Sequence, residues 1–315
     1  MRTESPDTEL IERTLRGDRV ALARALSWVE NEAPGSTALL DACFAKTGAA
    51  RRIGITGPPG AGKSTLVTRL AQEYRARERS VAIVAVDPTS PFSGGALLGD
   101  RVRMAELAGD PGVFIRSMAT RGSLGGLAVH TAQACDVLDA AGFERILIET
   151  VGVGQSELEI AETADSTAVV LVPESGDSIQ AMKAGLMEIG DLFVINKADR
   201  DGADRGAHAI RSALALRAPT SEWRPPVLMT VASQGTGVTE LVSGFEEHLA
   251  FLETAGDLER RRRRRLEQHL EELLHAALWR SFRSRVPETA WREVIAELVE
   301  RRVTPHQAAE RLLAD

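Results

Sequence analysis

The chain has 315 residues, 43% of them hydrophobic, so it can bury one large core or two smaller ones. Its formal charge of −7 at pH 7 argues against a general nucleic-acid-binding protein, because such proteins neutralise phosphates with net positive surfaces. Two cysteines, Cys43 and Cys135, are too few for a disulfide framework or a zinc site. No apolar run approaches about 18 residues, and the start MRTESPDTEL does not resemble a secretory signal. We therefore expect a cytoplasmic protein with neither a nucleic-acid nor a membrane partner.

The hydrophobic pattern predicts three regions along the chain. Residues 1–48 alternate apolar and charged side chains at helical spacing, which predicts an N-terminal extension of two helices. Residues 49–255 alternate short aliphatic runs with segments of helical length, which predicts an α/β domain with a doubly wound, mostly parallel sheet. Its predicted strands are RIGIT, VAIVAVD, VFIRS, RILIET, AVVLVP, LFVIN and PVLMTV. Residues 256–315 are expected to form a helical C-terminal arm.

The stretch GPPGAGKST, residues 57–65, lies between the first predicted strand and a helical segment. It matches the phosphate-loop pattern G-x-x-x-x-G-K-[ST] of P-loop NTPases in the strand-loop-helix context that this pattern requires. Backbone N–H groups and a helix N-terminus would there face the phosphates of a nucleotide. The alternative is a glycine-rich turn with a solvent-facing lysine. The predicted nucleotide contacts in this stretch are Gly60, Ala61, Gly62, Lys63, Ser64 and Thr65.

The tetrapeptide NKAD, residues 196–199, follows a predicted strand and indicates guanine as the base. The Asp199 carboxylate can accept hydrogen bonds from the ring N–H and the exocyclic amine of guanine, whereas adenine presents an acceptor at the ring position. Lys197 can cover the purine face and Asn196 can connect neighbouring loops. Backbone N–H groups around Ser233 in ASQGTG can meet the guanine oxygen. The alternative is an ordinary polar turn, because these residue types are common in turns.

Three acids near predicted strand ends are candidate magnesium ligands. Asp87 ends VAIVAVD, Asp100 follows in LLGDR, and Glu149 ends RILIET. Mg²⁺ takes about six oxygen ligands and keeps several waters, so one or two of these carboxylates, the Ser64 hydroxyl and phosphate oxygens would complete its shell. Asp100 has an alternative interpretation as a helix N-cap. Gly152, shortly after Glu149, is placed to bind a terminal phosphate and to release it on hydrolysis.

Five segments together resemble the family of P-loop GTPases associated with methylmalonyl-CoA mutase, a family of the metallochaperone type that is also known as arginine/ornithine transport kinases. The segments are GPPGAGKST, VDPTSPFSGGALLGDR, SMATRGSLGGLA, ETVGVGQSE and NKAD. The resemblance implies a magnesium site of Ser64, Asp87, Asp100 and Glu149, with glutamate where other GTPases carry aspartate. It also implies that GTP hydrolysis gates the delivery of adenosylcobalamin to an acyl-CoA mutase and the protection of that enzyme.

One difference from signalling GTPases bears on the rate of hydrolysis. Those proteins place a water-orienting glutamine directly after the glycine of D-x-x-G, whereas this chain has valine there and glutamine two positions further on. Slow intrinsic hydrolysis that a partner accelerates is therefore predicted. Gln180 and Lys183, within a segment that resembles an additional switch of the family, join Lys63 and Glu149 as candidate catalytic residues. The alternative places Gln180 and Lys183 on the polar face of a surface helix.

The segment from Leu258 to Phe282 predicts one long helix, and we expect it to hold a homodimer together. Its arginine run, residues 260–265, has glutamates at suitable spacing on the same helix, which favours a solvated or dimer-facing surface over a nucleic-acid site. An apolar stripe on this helix could be buried by the catalytic domain or by a second copy. The stripe consists of Leu266, Leu270, Leu273 and Leu274.

These observations lead to three functional hypotheses. The first is a magnesium-dependent GTPase and chaperone whose GTP- and GDP-bound states are recognised by an adenosylcobalamin-dependent acyl-CoA mutase. The second is a kinase that transfers the terminal phosphoryl group to an amino-acid transport protein of the periplasmic type. The third is a nucleotide-gated binding module with negligible turnover. No cobalamin motif is visible in the sequence, and His130 in LAVHTAQAC is interpreted as an ordinary helix residue.

Overall fold

The computed structural model describes residues 8–87, 105–107, 109–119, 126–150, 156–173, 185–216 and 222–314. Four of the predicted site residues lie outside these ranges, namely Asp100, Gly152, Gln180 and Lys183. Asp87 is the last residue of a strand, and only its backbone is described.

The described strands form one seven-stranded sheet in which every pairing is parallel. They are β1 (Arg51–Thr56), β2 (Val81–Asp87), β3 (Val113–Ala119), β4 (Arg145–Thr150), β5 (Ser166–Leu171), β6 (Leu192–Asn196) and β7 (Val227–Thr230). Their order is β3-β2-β4-β1-β5-β6-β7, so the chain builds the sheet outward on both sides of β1. The central strands are aliphatic and almost wholly buried, as expected when helices cover both faces. The predicted doubly wound parallel sheet is confirmed.

Helices cover both faces of this sheet. One core joins Leu70 and Phe245 to Ile53 of β1, a second joins Leu26 to Leu138, and a third contains Phe193 of β6. Among the described helices, none has the length and apolar composition that a membrane span requires. The described helices are α1 (Thr8–Leu15), α2 (Arg19–Glu30), α3 (Ser36–Phe44), α4 (Lys63–Ala76), α5 (Gly126–Ala140), α6 (Ser156–Thr163), α7 (Leu186–Ile189), α8 (Ala203–Leu216), α9 (Val238–Thr254), α10 (Asp257–Arg285), α11 (Glu288–Val299) and α12 (Pro305–Ala314).

The N-terminal extension contains three helices where the sequence predicted two. Helix α1 ends before Gly17, which has φ 77°, and Asp18 then caps α2 by accepting a hydrogen bond from the Ala21 N–H at 2.8 Å. A second break occurs at Gly35, with φ 95°, directly before α3. The prediction was wrong because the apolar spacing continues across the breaks, while the turn residues determine where each helix stops.

The described residues form two compact units, one ending at Arg265 and the other beginning at Leu266. Helix α10 is continuous across this boundary, which lies later in the chain than the boundary at residue 256 expected from the sequence. Within the second unit the rings of Trp279 and Trp291 meet edge-on, with 6.1 Å between their centroids. The four leucines of the predicted apolar stripe are all exposed, at 43–58% of their surface.

The sequence favoured a solvated or dimer-facing surface for the arginine run. Arg260, Arg263 and Arg264 are exposed, whereas the other three arginines bind acids of the first unit. Arg261 donates to the two carboxylate oxygens of Asp191 at 2.9 and 2.8 Å. Arg262 and Arg265 donate to Asp165 at 3.2 and 3.1 Å. We call Arg261, Arg262 and Arg265 the arginine anchor, because they bind the start of α10 to acids that precede β5 and β6 at the amino-terminal edge of the sheet.

Asp165 is the fully buried acid of this anchor. Besides the two arginines, it accepts a hydrogen bond from the backbone N–H of Arg52 in β1 at 3.0 Å. Burial alone would raise the pKa of this carboxyl, but Arg265 and Arg262 outweigh burial and hold the pKa below its ordinary value. The arginine anchor therefore stabilises the ionised form of the Asp165 carboxyl.

Candidate nucleotide-binding site

The phosphate loop connects β1 to α4 at the carboxyl edge of the sheet, and the space around two of its positions admits only glycine. Gly57 has φ 136°, and a Cβ there would lie 2.1 Å from the backbone oxygen of Val170 in β5. Gly62 has φ 87°, and a Cβ there would lie 2.5 Å from Asn196 Nδ2. Larger residues would displace either β5 or Asn196. The two glycines thus let the loop pass close to both before α4 begins.

The side chain of Lys63 lies against this loop. Only 5% of its surface is exposed, and its ammonium group donates to the backbone oxygens of Gly57 at 2.7 Å and Pro58 at 3.0 Å. The alternative of a solvent-facing lysine is therefore wrong. Because Lys63 is also the first residue of α4, its positive charge lies where the N–H groups of a helix N-terminus favour an anion.

Ser64 and Glu149 face each other across two neighbouring elements. The Ser64 hydroxyl donates to Glu149 Oε1 at 2.5 Å, and Glu149 is 4% exposed. Strand pairing produces this contact, because Glu149 in β4 is opposite Ile55 in β1 and the phosphate loop follows β1 directly. A hydroxyl beside a carboxylate is the hard oxygen donor set that Mg²⁺ prefers. Within the described residues, no group of three or more His, Cys, Asp and Glu side chains is placed to hold a metal.

Asn196 connects three loops at this edge, as its sequence position indicated. Its side-chain Nδ2 donates to the Ala61 oxygen in the phosphate loop at 2.8 Å. Its Oδ1 accepts hydrogen bonds from Thr230 Oγ1 and from the Ala232 N–H, both at 3.1 Å. Asn196 is 2% exposed, so these buried polar groups satisfy one another. The phosphate loop, the NKAD loop and the turn after β7 therefore form one connected unit.

The rest of the NKAD loop lies beside the phosphate loop. Lys197 has φ 58°, an uncommon conformation for a residue other than glycine, and its ammonium group donates to the Gly60 oxygen at 2.9 Å. The Ala198 N–H donates to the Thr230 oxygen at 3.0 Å, which fixes the loop against β7. Asp199 is exposed, so its carboxylate is accessible to a ligand.

Two residues of this unit were not found from the sequence. Thr230 binds Asn196, and Arg69 on α4 donates to the backbone oxygens of Ala232 at 3.2 Å and Ser233 at 3.4 Å. Neither lies in a recognisable motif, and from the sequence Arg69 resembles a polar surface residue of an amphipathic helix.

Two residues that were predicted from the sequence are exposed: Ser233 in the turn after β7, and Thr65 on the first turn of α4.

The family model described as "Methylmalonyl Co-A mutase-associated GTPase MeaB" matches residues 22–286, which is most of the chain. The chain belongs to this family. The resemblance inferred from the five sequence segments is thereby confirmed, and all the described site residues lie within the matched part of the MeaB-family chain.

Other proteins similar to this MeaB-family member support the assignment. A putative GTPase from Pyrococcus abyssi is 47% identical over 98% of this chain and 96% of its own length. The mitochondrial methylmalonic aciduria type A homolog of Caenorhabditis elegans is 35% identical over 82% of this chain and 70% of its own length. The crystal structure of an LAO/AO transport system kinase gives a TM-score of 0.74 at 28% identity, covering 98% of this chain and 96% of that one. The MeaB family is thus a family of P-loop GTPases.

Asp199→Asn is expected to lower the preference for GTP over ATP by about 10-fold or more. The amide that replaces the carboxylate offers one acceptor to two adjacent donors of guanine, and the charge that strengthens those hydrogen bonds is lost. Binding of both nucleotides, measured by isothermal titration calorimetry, checks this. Asp201→Asn, an exposed acid in the following turn, is the matched control. Undiminished discrimination in Asp199→Asn would assign base recognition to other residues.

Proposed function

We propose that this protein is a magnesium-dependent GTPase that hydrolyses GTP to GDP and phosphate, and that it acts as a chaperone in the cytoplasm. In this proposal its nucleotide state gates the loading of adenosylcobalamin into an acyl-CoA mutase, such as methylmalonyl-CoA mutase, and the protection of that enzyme. The single observation that carries the proposal is the unit that Asn196 builds from three loops, in a family described as mutase-associated GTPases.

Different residues of the site would bind the phosphates and the base of the nucleotide. Lys63 would exchange its contacts with loop oxygens for the terminal phosphates, because an anion competes for the same ammonium group. Lys197 would cover the purine, and Asp199 and the Ser233 N–H would recognise its edge. We assign Gly60, Ala61, Gly62, Ser64, Thr65 and Gly152 to the phosphates.

Magnesium would be held by Ser64 and Glu149 together with one or both of Asp87 and Asp100. When bound, Mg²⁺ would neutralise charge that develops on the transferred phosphoryl group. The hydrogen bond from Ser64 to Glu149 keeps the hydroxyl oxygen and the carboxylate on the same side of the phosphate loop. Gln180 and Lys183 are proposed to position the attacking water or compensate charge, with a slow intrinsic rate that the mutase increases.

The kinase hypothesis is kept as an alternative because the solved structure similar to this chain is named a transport system kinase. The two activities differ in where the terminal phosphate goes. The protein is incubated with GTP labelled at the γ-phosphate, alone and with a periplasmic-type amino-acid-binding protein. Label that appears only as inorganic phosphate supports the GTPase, whereas label transferred to the acceptor protein contradicts it.

We also propose a homodimer held by the second unit. The second unit exposes Leu266, Leu270, Leu273 and Leu274 on α10, where a monomer would leave an apolar stripe in water. An isologous contact between two copies would bury the stripe on both. The full-length chain should therefore be dimeric in light scattering at micromolar concentration. A monomer at that concentration would contradict the proposal.

Truncation after Gln268 is expected to give a stable monomer that still binds GDP. This cut removes Leu270, Leu273 and Leu274 but keeps the arginine anchor. Truncation after Ala255, the boundary expected from the sequence, removes the anchor and leaves the Asp165 carboxylate without the two arginines that compensate its charge, so that shorter chain should be much less stable. Light scattering and thermal unfolding of the two chains check both statements. A dimeric Gln268 truncation would assign the dimer contact to the first unit.

A further inference from the structure

In the turn after β7, a side chain of α4 contacts two consecutive peptide groups. The first of these peptides joins Ala232 to Ser233. The Ala232 N–H before it donates to Asn196 Oδ1 at 3.1 Å, and the Gly235 N–H donates to the Ala232 oxygen at 3.3 Å. The turn is therefore anchored to the NKAD loop at its start and closed on itself at its end.

Arg69 holds the oxygen of this peptide. Its Nε donates to the Ala232 oxygen at 3.2 Å, and one Nη donates to the Ser233 oxygen at 3.4 Å. The other Nη donates to Gln72 Oε1 at 2.8 Å, so the guanidinium plane is fixed on α4. Because α4 begins at Lys63, one helix carries both the end of the phosphate loop and the support of this turn.

In a trans peptide, the orientation of the C=O group fixes the orientation of the N–H group of the next residue. Its C=O and N–H point in opposite directions, and no cis peptide bond occurs among the described residues. Since the Ala232 C=O points toward Arg69, the Ser233 N–H points away from α4. Ser233 is exposed, so the residue that carries this N–H lies at the surface of the turn.

We propose that Arg69 is a positioning residue for recognition of the 6-oxo group of a purine nucleotide. This inference rests on the proposed function, in which Asp199 recognises the ring N–H and the 2-amino group of guanine. Arg69 does not touch the base. It holds the peptide so that the Ser233 N–H meets the guanine oxygen, where the 6-amino group of adenine offers no acceptor. Without Arg69 only the longer hydrogen bond from the Gly235 N–H holds the Ala232 oxygen, so the peptide plane is less constrained and the hydrogen bond from the Ser233 N–H is weakened.

The test uses nucleotides that differ at one edge position. IDP lacks the 2-amino group but keeps the 6-oxo group, whereas 6-thio-GDP replaces only the 6-oxygen with a poorer acceptor. Dissociation constants for GDP, IDP, 6-thio-GDP and ADP are measured by competition with a fluorescent GDP analogue. The variants are Arg69→Met and Arg69→Lys, and the matched control is Arg77→Met, which removes an arginine at the end of α4 that pairs with Glu73.

Wild type is expected to prefer GDP over 6-thio-GDP by about 3- to 10-fold, as one hydrogen bond would give. In Arg69→Met this ratio should fall to near one while the ratio of GDP to IDP stays as in wild type. Arg69→Lys should keep part of the preference, and Arg77→Met all of it. If Arg69 had only a structural role, its replacement would instead lower the affinity for every nucleotide by the same factor.

Guanine recognition and the role of Arg69 are refuted by different outcomes. Equal affinity of wild type for GDP and ADP would refute guanine recognition, and with it the proposed function. A wild type that prefers GDP, together with an unchanged ratio of GDP to 6-thio-GDP in Arg69→Met, would refute the role of Arg69 alone. If Arg69→Met does not fold, the same ratio in Arg69→Lys decides, and a wild-type value there would refute the role equally.

Discussion

Lys63→Ala is expected to weaken GTP binding by at least about 30-fold while leaving the fold intact. The Lys63 ammonium group is buried inside the phosphate loop, where a phosphate can take over its contacts with the oxygens of Gly57 and Pro58. Removing a buried charged donor from an anion costs about 2–5 kcal/mol, far more than removing an exposed one. Calorimetric titration with GTP and Mg²⁺ measures the loss.

Lys46→Ala is the matched control for this change, because Lys46 is an exposed lysine after α3 in the same unit. It should bind GTP as wild type does. Circular dichroism of both variants should show the wild-type content of helix and strand. A well-folded Lys63→Ala variant with undiminished GTP affinity would rule out the phosphate-loop assignment.

Asp165→Asn is expected to lower the free energy of unfolding by about 3–5 kcal/mol. The neutral amide would leave Arg262 and Arg265 facing a group that no longer compensates their charge. Its NH2 group, a hydrogen-bond donor, would also face the guanidinium N–H groups, which are donors too. The backbone N–H of Arg52 would also lose the charge-assisted bond that it makes at 3.0 Å. Urea unfolding followed by circular dichroism measures the change.

Glu12→Gln provides the comparison for Asp165→Asn. Glu12 pairs with Arg16 on α1 at 3.1 Å, but both side chains are more than half exposed. Such surface pairs contribute about 0–1 kcal/mol, so this variant should unfold close to wild type. If the two variants lost similarly little stability, the arginine anchor would not hold the start of α10.

The elements that recur as local patterns could be predicted from the sequence. The phosphate loop and the NKAD tetrapeptide carry their geometry within a few residues, and aliphatic runs between helical segments are typical of a parallel sheet. The carboxyl ends of parallel strands then bring Glu149 beside Ser64, because β1 and β4 are neighbours.

The contacts that the sequence did not reveal join residues far apart in the chain. Arg69 and Ala232 are 163 positions apart, and Arg265 and Asp165 are 100 positions apart. The glutamates near the arginine run satisfied a helical spacing rule, yet three of these arginines pair with the buried acids Asp165 and Asp191 of the first unit. Charge patterns identify possible local partners, whereas tertiary packing decides which acid is desolvated and requires a cation.

The proposed function is that of a GTPase whose turnover responds to a cobalamin-dependent mutase. The most direct test is single-turnover hydrolysis of GTP, with the protein in excess, in the presence and absence of purified methylmalonyl-CoA mutase. We expect slow release of phosphate by the protein alone and faster release when the mutase is added. An unchanged rate at saturating mutase would contradict it and would favour a passive nucleotide-gated binding module.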